Sequence, residues 1–195
     1  CNWGGPIKET RLGPEGYAKI WRTMRAPVVN ISGGEPLARG DLDDIIAALA
    51  NPGRLPWVVV VSNASQLTPE RFLRLKRAGM HQLSLSIDFP DKRHDEFRRI
   101  PGLFERMDRV VPECVKIGDE GDVSINCCIT AWNYPSLPDV VKLADRWGVQ
   151  VNFSSYSLLR VDEPGGLAQE NGTKEGLRKA IEEVIDLKKR GSAVY

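Results

Sequence analysis

Three short stretches of this chain combine residue types that can do chemistry. The first is Ser32-Gly33-Gly34-Glu35-Pro36-Leu37, directly after the apolar run Val28–Ile31. Two consecutive glycines let the backbone turn tightly and let a ligand approach with no Cβ in the way. Glu35 can accept charge-assisted hydrogen bonds from an ammonium group, and Pro36 stiffens the exit with no N–H to satisfy. The spacing lacks both G-K-[ST] and G-x-G-x-x-G, so it is not a phosphate loop. Against a ligand role stands a plain connecting turn with a solvated glutamate.

The second stretch is Ser84-Leu85-Ser86-Ile87-Asp88. A strand that alternates Ser with Leu and Ile puts polar groups on one face, which calls for something polar there. The alternative is serines bonded to neighbouring backbone. The third runs from His94-Asp95-Glu96-Phe97-Arg98-Arg99 through Ile100-Pro101-Gly102-Leu103-Phe104. A histidine among acids invites a catalytic reading, but a helix-opening histidine on a solvated face is commoner. Of the four cysteines, Cys1 alone says little, since a lone cysteine is usually a small buried hydrophobe. Cys127 and Cys128 point to opposite faces if they share a strand. Four cysteines in a chain of this length do not make a disulfide scaffold, and a reducing cytoplasm is the simplest compartment.

These stretches need elements to hold them, and the hydrophobic spacing supplies a set. Tyr17, Ile20, Trp21 and Met24 form a helical stripe after Pro14, and Leu42, Ile45, Ile46 and Leu49 form another, stopped by Asn51-Pro52-Gly53. Thr68-Pro69 opens a helix that Gly79 ends. Further helix faces run from Leu103 to Cys114, Leu137 to Ala144 and Thr173 to Arg190, the last with Leu177, Ile181, Val184 and Ile185 on one side. Between them, Val28 to Ser32, Trp57 to Ser62, Leu83 to Ile87, Val123 to Thr130 and Val149 to Ser154 read as strands. Residues 162–172 form a long Gly-rich and polar loop. Helix and strand alternate throughout, which implies a parallel sheet with right-handed crossovers. Such sheets bind ligands beyond the carboxyl ends of their strands, where each of the three stretches falls.

A length of 195 residues fits one domain with a real core. The formal charge of +1 gives no global attraction to nucleic acid or anionic membrane. Arg71, Arg74, Lys76 and Arg77 read as the wet face of a helix, and Trp132, Trp147 and Tyr156 read as packing residues rather than a platform for single-stranded nucleic acid. No apolar run approaches the roughly twenty residues of a membrane helix.

Cys1-Asn2-Trp3-Gly4, Gly33-Gly34-Glu35-Pro36, Ser86-Ile87-Asp88 and His94-Asp95-Glu96-Phe97-Arg98, in this order on this framework, resemble the radical S-adenosylmethionine (SAM) enzymes. The first resembles the tail of their C-x-x-x-C-x-x-C motif, and the fourth, continued to Phe104, their H-D-x-x-R-x-x-x-G-x-F stretch. The resemblance covers nearly the whole chain. It implies a partial (β/α)6 TIM-like barrel over residues 1–195, its first strand largely missing. It implies a [4Fe–4S] cluster held by three thiolates, with Cys1 one of them, and SAM bound at the fourth iron. By the same match, Gly33, Gly34, Glu35 and Pro36 hold the SAM amino group and Arg98 pairs with its carboxylate, with Arg99 as the neighbouring misassignment to guard against. Asn63, Ser86, Asp88 and Ser154 complete the SAM-binding surface. Ala64 departs from the family's Thr-Asn-Gly at Ser62-Asn63-Ala64.

The implied activity is reductive cleavage of SAM to a 5′-deoxyadenosyl radical that abstracts a substrate hydrogen, with the difficult chemistry supplied by the cofactors. The implied partners are a small-molecule or peptide substrate and a reductase such as flavodoxin or ferredoxin. Without the two preceding cysteines the sequence as given is expected to be inactive. Two other readings stay open: an ordinary (β/α)-barrel lyase or hydrolase using Glu35, Asp88 and His94, and a non-catalytic barrel that binds a partner.

Overall fold

The computed structural model describes residues 12–50, 55–155 and 174–195. Cys1, the Asn51-Pro52-Gly53 stop, Tyr156 and the expected 162–172 loop lie outside them. The elements alternate as α1 (Pro14–Met24), β1 (Val28–Ile31), α2 (Leu42–Leu49), β2 (Trp57–Ser62), α3 (Pro69–Ala78), β3 (Gln82–Ser86), α4 (Arg93–Arg98), α5 (Leu103–Ile117), β4 (Val123–Ile129), α6 (Leu137–Trp147), β5 (Gln150–Ser155) and α7 (Lys174–Lys189). The strands form one sheet in the order β1-β2-β3-β4-β5. Sequence order equals sheet order because each helical crossover carries the chain one position along. β1 pairs in parallel with β2, Val28 against Trp57, and β4 in parallel with β5, Ser124 against Gln150. This is the expected α/β architecture, and a partial barrel is consistent with it. The chain divides into two compact units, residues 1–84 and 85–195, and each is described by itself.

In the first unit, Val58, Val59 and Val60 of β2 are buried in succession, as expected of a strand covered on both faces. Leu42, Ile45, Ile46 and Leu49 bury the inner stripe of α2, and Phe72 and Leu75 that of α3. Burial of each such side chain stabilises the fold by about 1.5–3 kcal/mol. Thr68 caps α3 by accepting from the Arg71 N–H at 3.1 Å. Gly79 ends it at φ 109°, where a Cβ would stand 2.3 Å from the Ala50 Cβ, so only glycine fits. Arg71 departs from the expected wet face: it pairs with Asp43 at 2.9 Å and donates to the Arg39 carbonyl at 3.2 Å, fastening α3 to α2.

In the second unit, Leu103, Met107, Val111 and Cys114 bury one face of α5, and Leu137, Val140, Val141, Ala144 and Trp147 one face of α6. The Asp95 carboxylate brackets the start of α5, accepting from the Gly102 N–H at 2.8 Å and the Phe104 N–H at 2.7 Å. On α7 only part of the expected stripe is covered. Ala180 and Val184 are buried, whereas Ile181 and Ile185 are exposed. No helix among the described residues is long and apolar enough to cross a membrane.

Candidate functional site

In the first unit, the turn after β1 places Glu35 as the N-cap of a short 3-10 turn, Pro36–Ala38. Its carboxylate is a knot. Oε1 accepts from the Leu37 N–H at 2.9 Å and from the Ser62 hydroxyl at 2.7 Å, and Oε2 accepts from the Asn63 N–H at 2.8 Å. A carboxylate offers about four lone-pair sites, so one acceptor position remains, on Oε2. Gly33 holds φ 132°, which side chains rarely adopt, and a Cβ on Gly33 or Gly34 would meet nothing within 4 Å among the described residues. The turn therefore has an open flank beside a carboxylate with one acceptor position left. A cavity of about 540 Å³ between α1, β1 and α2 borders it, mostly apolar but including Glu35 and Arg39. Arg39 grips Asp41 through Nε at 2.5 Å and Nη2 at 2.9 Å, which holds its guanidinium above the ordinary range.

The end of β2 is locked to the same knot. The Asn63 Oδ1 accepts from the Ser65 N–H at 2.8 Å, and the Ser62 Oγ accepts from the Ala64 N–H at 2.9 Å. Ala64 is buried with φ 61°, a left-handed conformation that a glycine takes with less strain. The departure of Ala64 from the family's glycine is thus a departure at a position whose backbone asks for one.

β3, at the boundary of the two units, shows the foreseen alternation: Leu83 and Leu85 are fully buried, Ser84 and Ser86 half-buried on the other face. Asp88, 1% exposed, follows the strand. Its Oδ2 accepts from Arg98 Nε at 2.7 Å and lies 2.6 Å from Arg98 Nη2. Oδ1 is buried with no hydrogen-bond partner among the described residues. Burial pushes the Asp88 carboxyl above its ordinary range, against the opposing pull of the Arg98 cation and the Cys128 amide.

His94 is wholly buried, which overturns the solvated-face reading. Its Nδ1 accepts from the Asp88 N–H at 3.3 Å, while Nε2 has no partner among the described residues. Burial, helped by the Arg98 cation, pushes its pKa down to about 4, so it is neutral near pH 7. Asn133 holds the other side of Asp88: its Nδ2 donates to the Asp88 carbonyl at 3.0 Å and the Cys128 carbonyl at 2.8 Å, and its Oδ1 accepts from the Thr130 N–H at 2.7 Å.

Cys127 is buried and Cys128 half-buried, on opposite faces as expected. Burial raises both thiols, and the Asp88 charge adds to it, so neither is a ready thiolate. Ser154 is exposed, sits opposite Cys128 in the register and shares a hydrogen bond with it.

Within the first unit the structure brings Glu35, Pro36 and Asn63 together with Gly33 and Gly34. Within the second it brings Asp88 and Arg98 together. Arg98, not Arg99, makes the pair; Arg99 is exposed and ends α4 in a left-handed conformation at φ 57°. Trp132, expected to pack, is 51% exposed and meets Phe97 edge-on at 6.5 Å between ring centroids. The sequence places Ser62 and Asn133 at strand ends near the site but does not show that they brace Glu35 and Asp88. For Ser62 the signal was its place beside Asn63, and for Asn133 a lone amide after a strand gave none. Among the described residues no three His, Cys, Asp or Glu gather as metal ligands, and Cys1 lies outside them.

The sequence model of the Radical SAM superfamily matches residues 8–145. The chain belongs to that superfamily. Among its curated relatives is an AdoMet-dependent heme synthase of Nitratidesulfovibrio vulgaris, 34% identical over 145 residues, which are 74% of this chain and 38% of that protein. A GTP 3′,8-cyclase of Aquifex aeolicus is 27% identical over 144 residues, 73% of this chain and 44% of that enzyme. This radical SAM chain thus spans less than half the length of either relative. Among solved structures, Streptococcus suis SuiB bound to S-adenosylmethionine matches 97% of this chain and 44% of its own with a TM-score of 0.73. At 16% identity that likeness shows the fold. It supports the partial-barrel description of this radical SAM chain.

Proposed function

We propose that residues 1–195 are the core of a radical SAM enzyme that binds SAM and a [4Fe–4S] cluster and abstracts hydrogen from its substrate. The observation that carries this reading is the Glu35 turn. Its carboxylate is immobilised by three internal hydrogen bonds yet keeps an acceptor position beside two glycines whose flank is open. That is an acceptor and the clearance an ammonium donor requires.

When bound, the cluster and SAM supply one-electron reductive cleavage of the sulfonium and hydrogen-atom abstraction. The chain's residues do the rest. Glu35 accepts from the SAM amino group, and Gly33, Gly34 and Pro36 shape the turn that lets it approach. Arg98, held by Asp88, offers its unused guanidinium edge to the SAM carboxylate. Asn63, Ser86 and Ser154 add polar contacts. Cys1 is one cluster ligand.

A reductase of the flavodoxin or ferredoxin type and a cytoplasmic setting follow from this chemistry. An iron tetrapyrrole is the first substrate to try, because a heme synthase resembles this chain at 34% identity; GTP and peptides come next. The test is anaerobic reconstitution of the full-length protein followed by SAM binding. Glu35→Ala is expected to weaken SAM at least tenfold with cluster content unchanged, and equal affinity would end the reading.

A further inference from the structure

The H-D-x-x-R stretch contains a residue whose work neither the resemblance nor the proposed function assigns. His94 and Arg98 stand one turn apart on α4, so their side chains share a face of that helix. Both turn to the same residue. His94 Nδ1 takes the Asp88 N–H at 3.3 Å, and Arg98 grips the Asp88 Oδ2 through Nε and Nη2 at 2.7 and 2.6 Å. Asn133 closes the third side by donating to the Asp88 carbonyl at 3.0 Å. The backbone of Asp88 is therefore held at both its N–H and its C=O, and its carboxylate holds Arg98.

A guanidinium has five N–H donors in a rigid fork, and the pair with Asp88 leaves both donors on Nη1 free of it. Where that free edge points depends on where α4 is fastened. α4 has six residues, and the one side-chain bond at its start, Arg93 N–H to Asp91 Oδ1 at 3.0 Å, is local, so what it is tied to sets its position. The fully buried imidazole fastens the first turn of α4 to Asp88, beside the Asp95 carboxylate that ties the same turn to the start of α5.

We propose that His94 is a positioning residue: by tying the first turn of α4 to the Asp88 backbone it fixes the reach and direction of Arg98. This rests on the reading that Arg98 receives the SAM carboxylate. As an acceptor at Nδ1 the ring carries its proton on Nε2, and it neither gives nor takes a proton in the reaction. The acceptor atom is what matters. Asparagine carries a carbonyl oxygen the same number of bonds from Cβ as Nδ1, whereas glutamine carries it one bond further.

The experiment compares full-length reconstituted protein with its Arg98→Ala, His94→Asn and His94→Gln variants, each assayed by equilibrium dialysis for SAM and for decarboxylated SAM. Circular dichroism establishes that each variant is folded. Arg98→Ala and His94→Gln are expected to weaken SAM about tenfold or more, the usual scale of a lost charge-assisted bond. His94→Asn is expected to stay within about threefold, and decarboxylated SAM is expected to bind all four proteins alike. If Arg98→Ala leaves SAM affinity unchanged, the carboxylate reading falls and the positioning role with it. If Arg98→Ala weakens SAM while His94→Gln does not, the positioning role alone is wrong. Equal weakening of both ligands by His94→Gln also overturns it, because the effect would not run through the carboxylate.

Discussion

The Glu35 Oε2 and the Asn63 N–H meet at 2.8 Å across 28 positions of sequence, joining the turn after β1 to the end of β2. The other oxygen takes the Ser62 hydroxyl and the Leu37 N–H. A residue read from sequence as a ligand contact is therefore also the brace of its own turn.

That brace distinguishes glutamate from glutamine. Glu35→Gln keeps one carbonyl oxygen but presents an NH₂ group to a donor, so one of the internal bonds is lost. We expect a stability loss of about 1–3 kcal/mol by urea denaturation, in addition to weaker SAM binding. An unchanged midpoint would show that the three bonds are incidental.

The two glycines should separate by mutation. Gly33→Ala forces a side chain onto φ 132° and should cost about 1–3 kcal/mol of stability. Gly34 has no positive φ and an open flank, so Gly34→Ala should leave the melting temperature nearly unchanged while weakening SAM. Calorimetry and SAM titration on both variants check the pair.

Asp88 is buried and Arg98 compensates it. Arg98→Leu leaves a carboxylate without its cation and should cost about 3 kcal/mol at pH 7. The loss should shrink toward pH 4, because the carboxyl, already raised by burial, then takes up a proton. Denaturation of the wild type and variant at both pH values measures this.

His94 predicts an acid sensitivity of definite sign. Its folded pKa of about 4 lies below the ordinary histidine value of 6.5, so its contribution is complete above pH 6.5 and is lost as pH falls toward 4. The loss should reach about 1 kcal/mol at pH 5.5 and about 3 kcal/mol at pH 4. Asp88, with its raised carboxyl, acts in the opposite direction, so the comparison is wild type minus His94→Asn. That difference should fall with acid; a flat difference contradicts a buried neutral imidazole.

The parts of this fold legible in sequence were those fixed by local rules. Period and capping placed α3 from Thr68 to Gly79, and the run of valines marked β2 as covered on both faces. The Ser–Leu alternation of β3 gave its two faces, and Gly33-Gly34-Glu35 located the turn. What stayed hidden was decided by neighbours distant in sequence. Nothing beside His94 tells that the ring is buried, since its Nδ1 acceptor role depends on the Asp88 backbone. Trp132 reads as a core residue by its type, yet its loop carries it into the open beside Phe97. Arg71 reads as surface until Asp43 of the preceding helix meets it.

The most direct test of the central claim is 5′-deoxyadenosine formation by the full-length, reconstituted and chemically reduced protein, beside its Glu35→Ala variant at matched iron content. The account predicts SAM-dependent 5′-deoxyadenosine from the wild type and at least a tenfold loss in the variant. Equal amounts from both, or none from a wild type with a complete cluster, would contradict it.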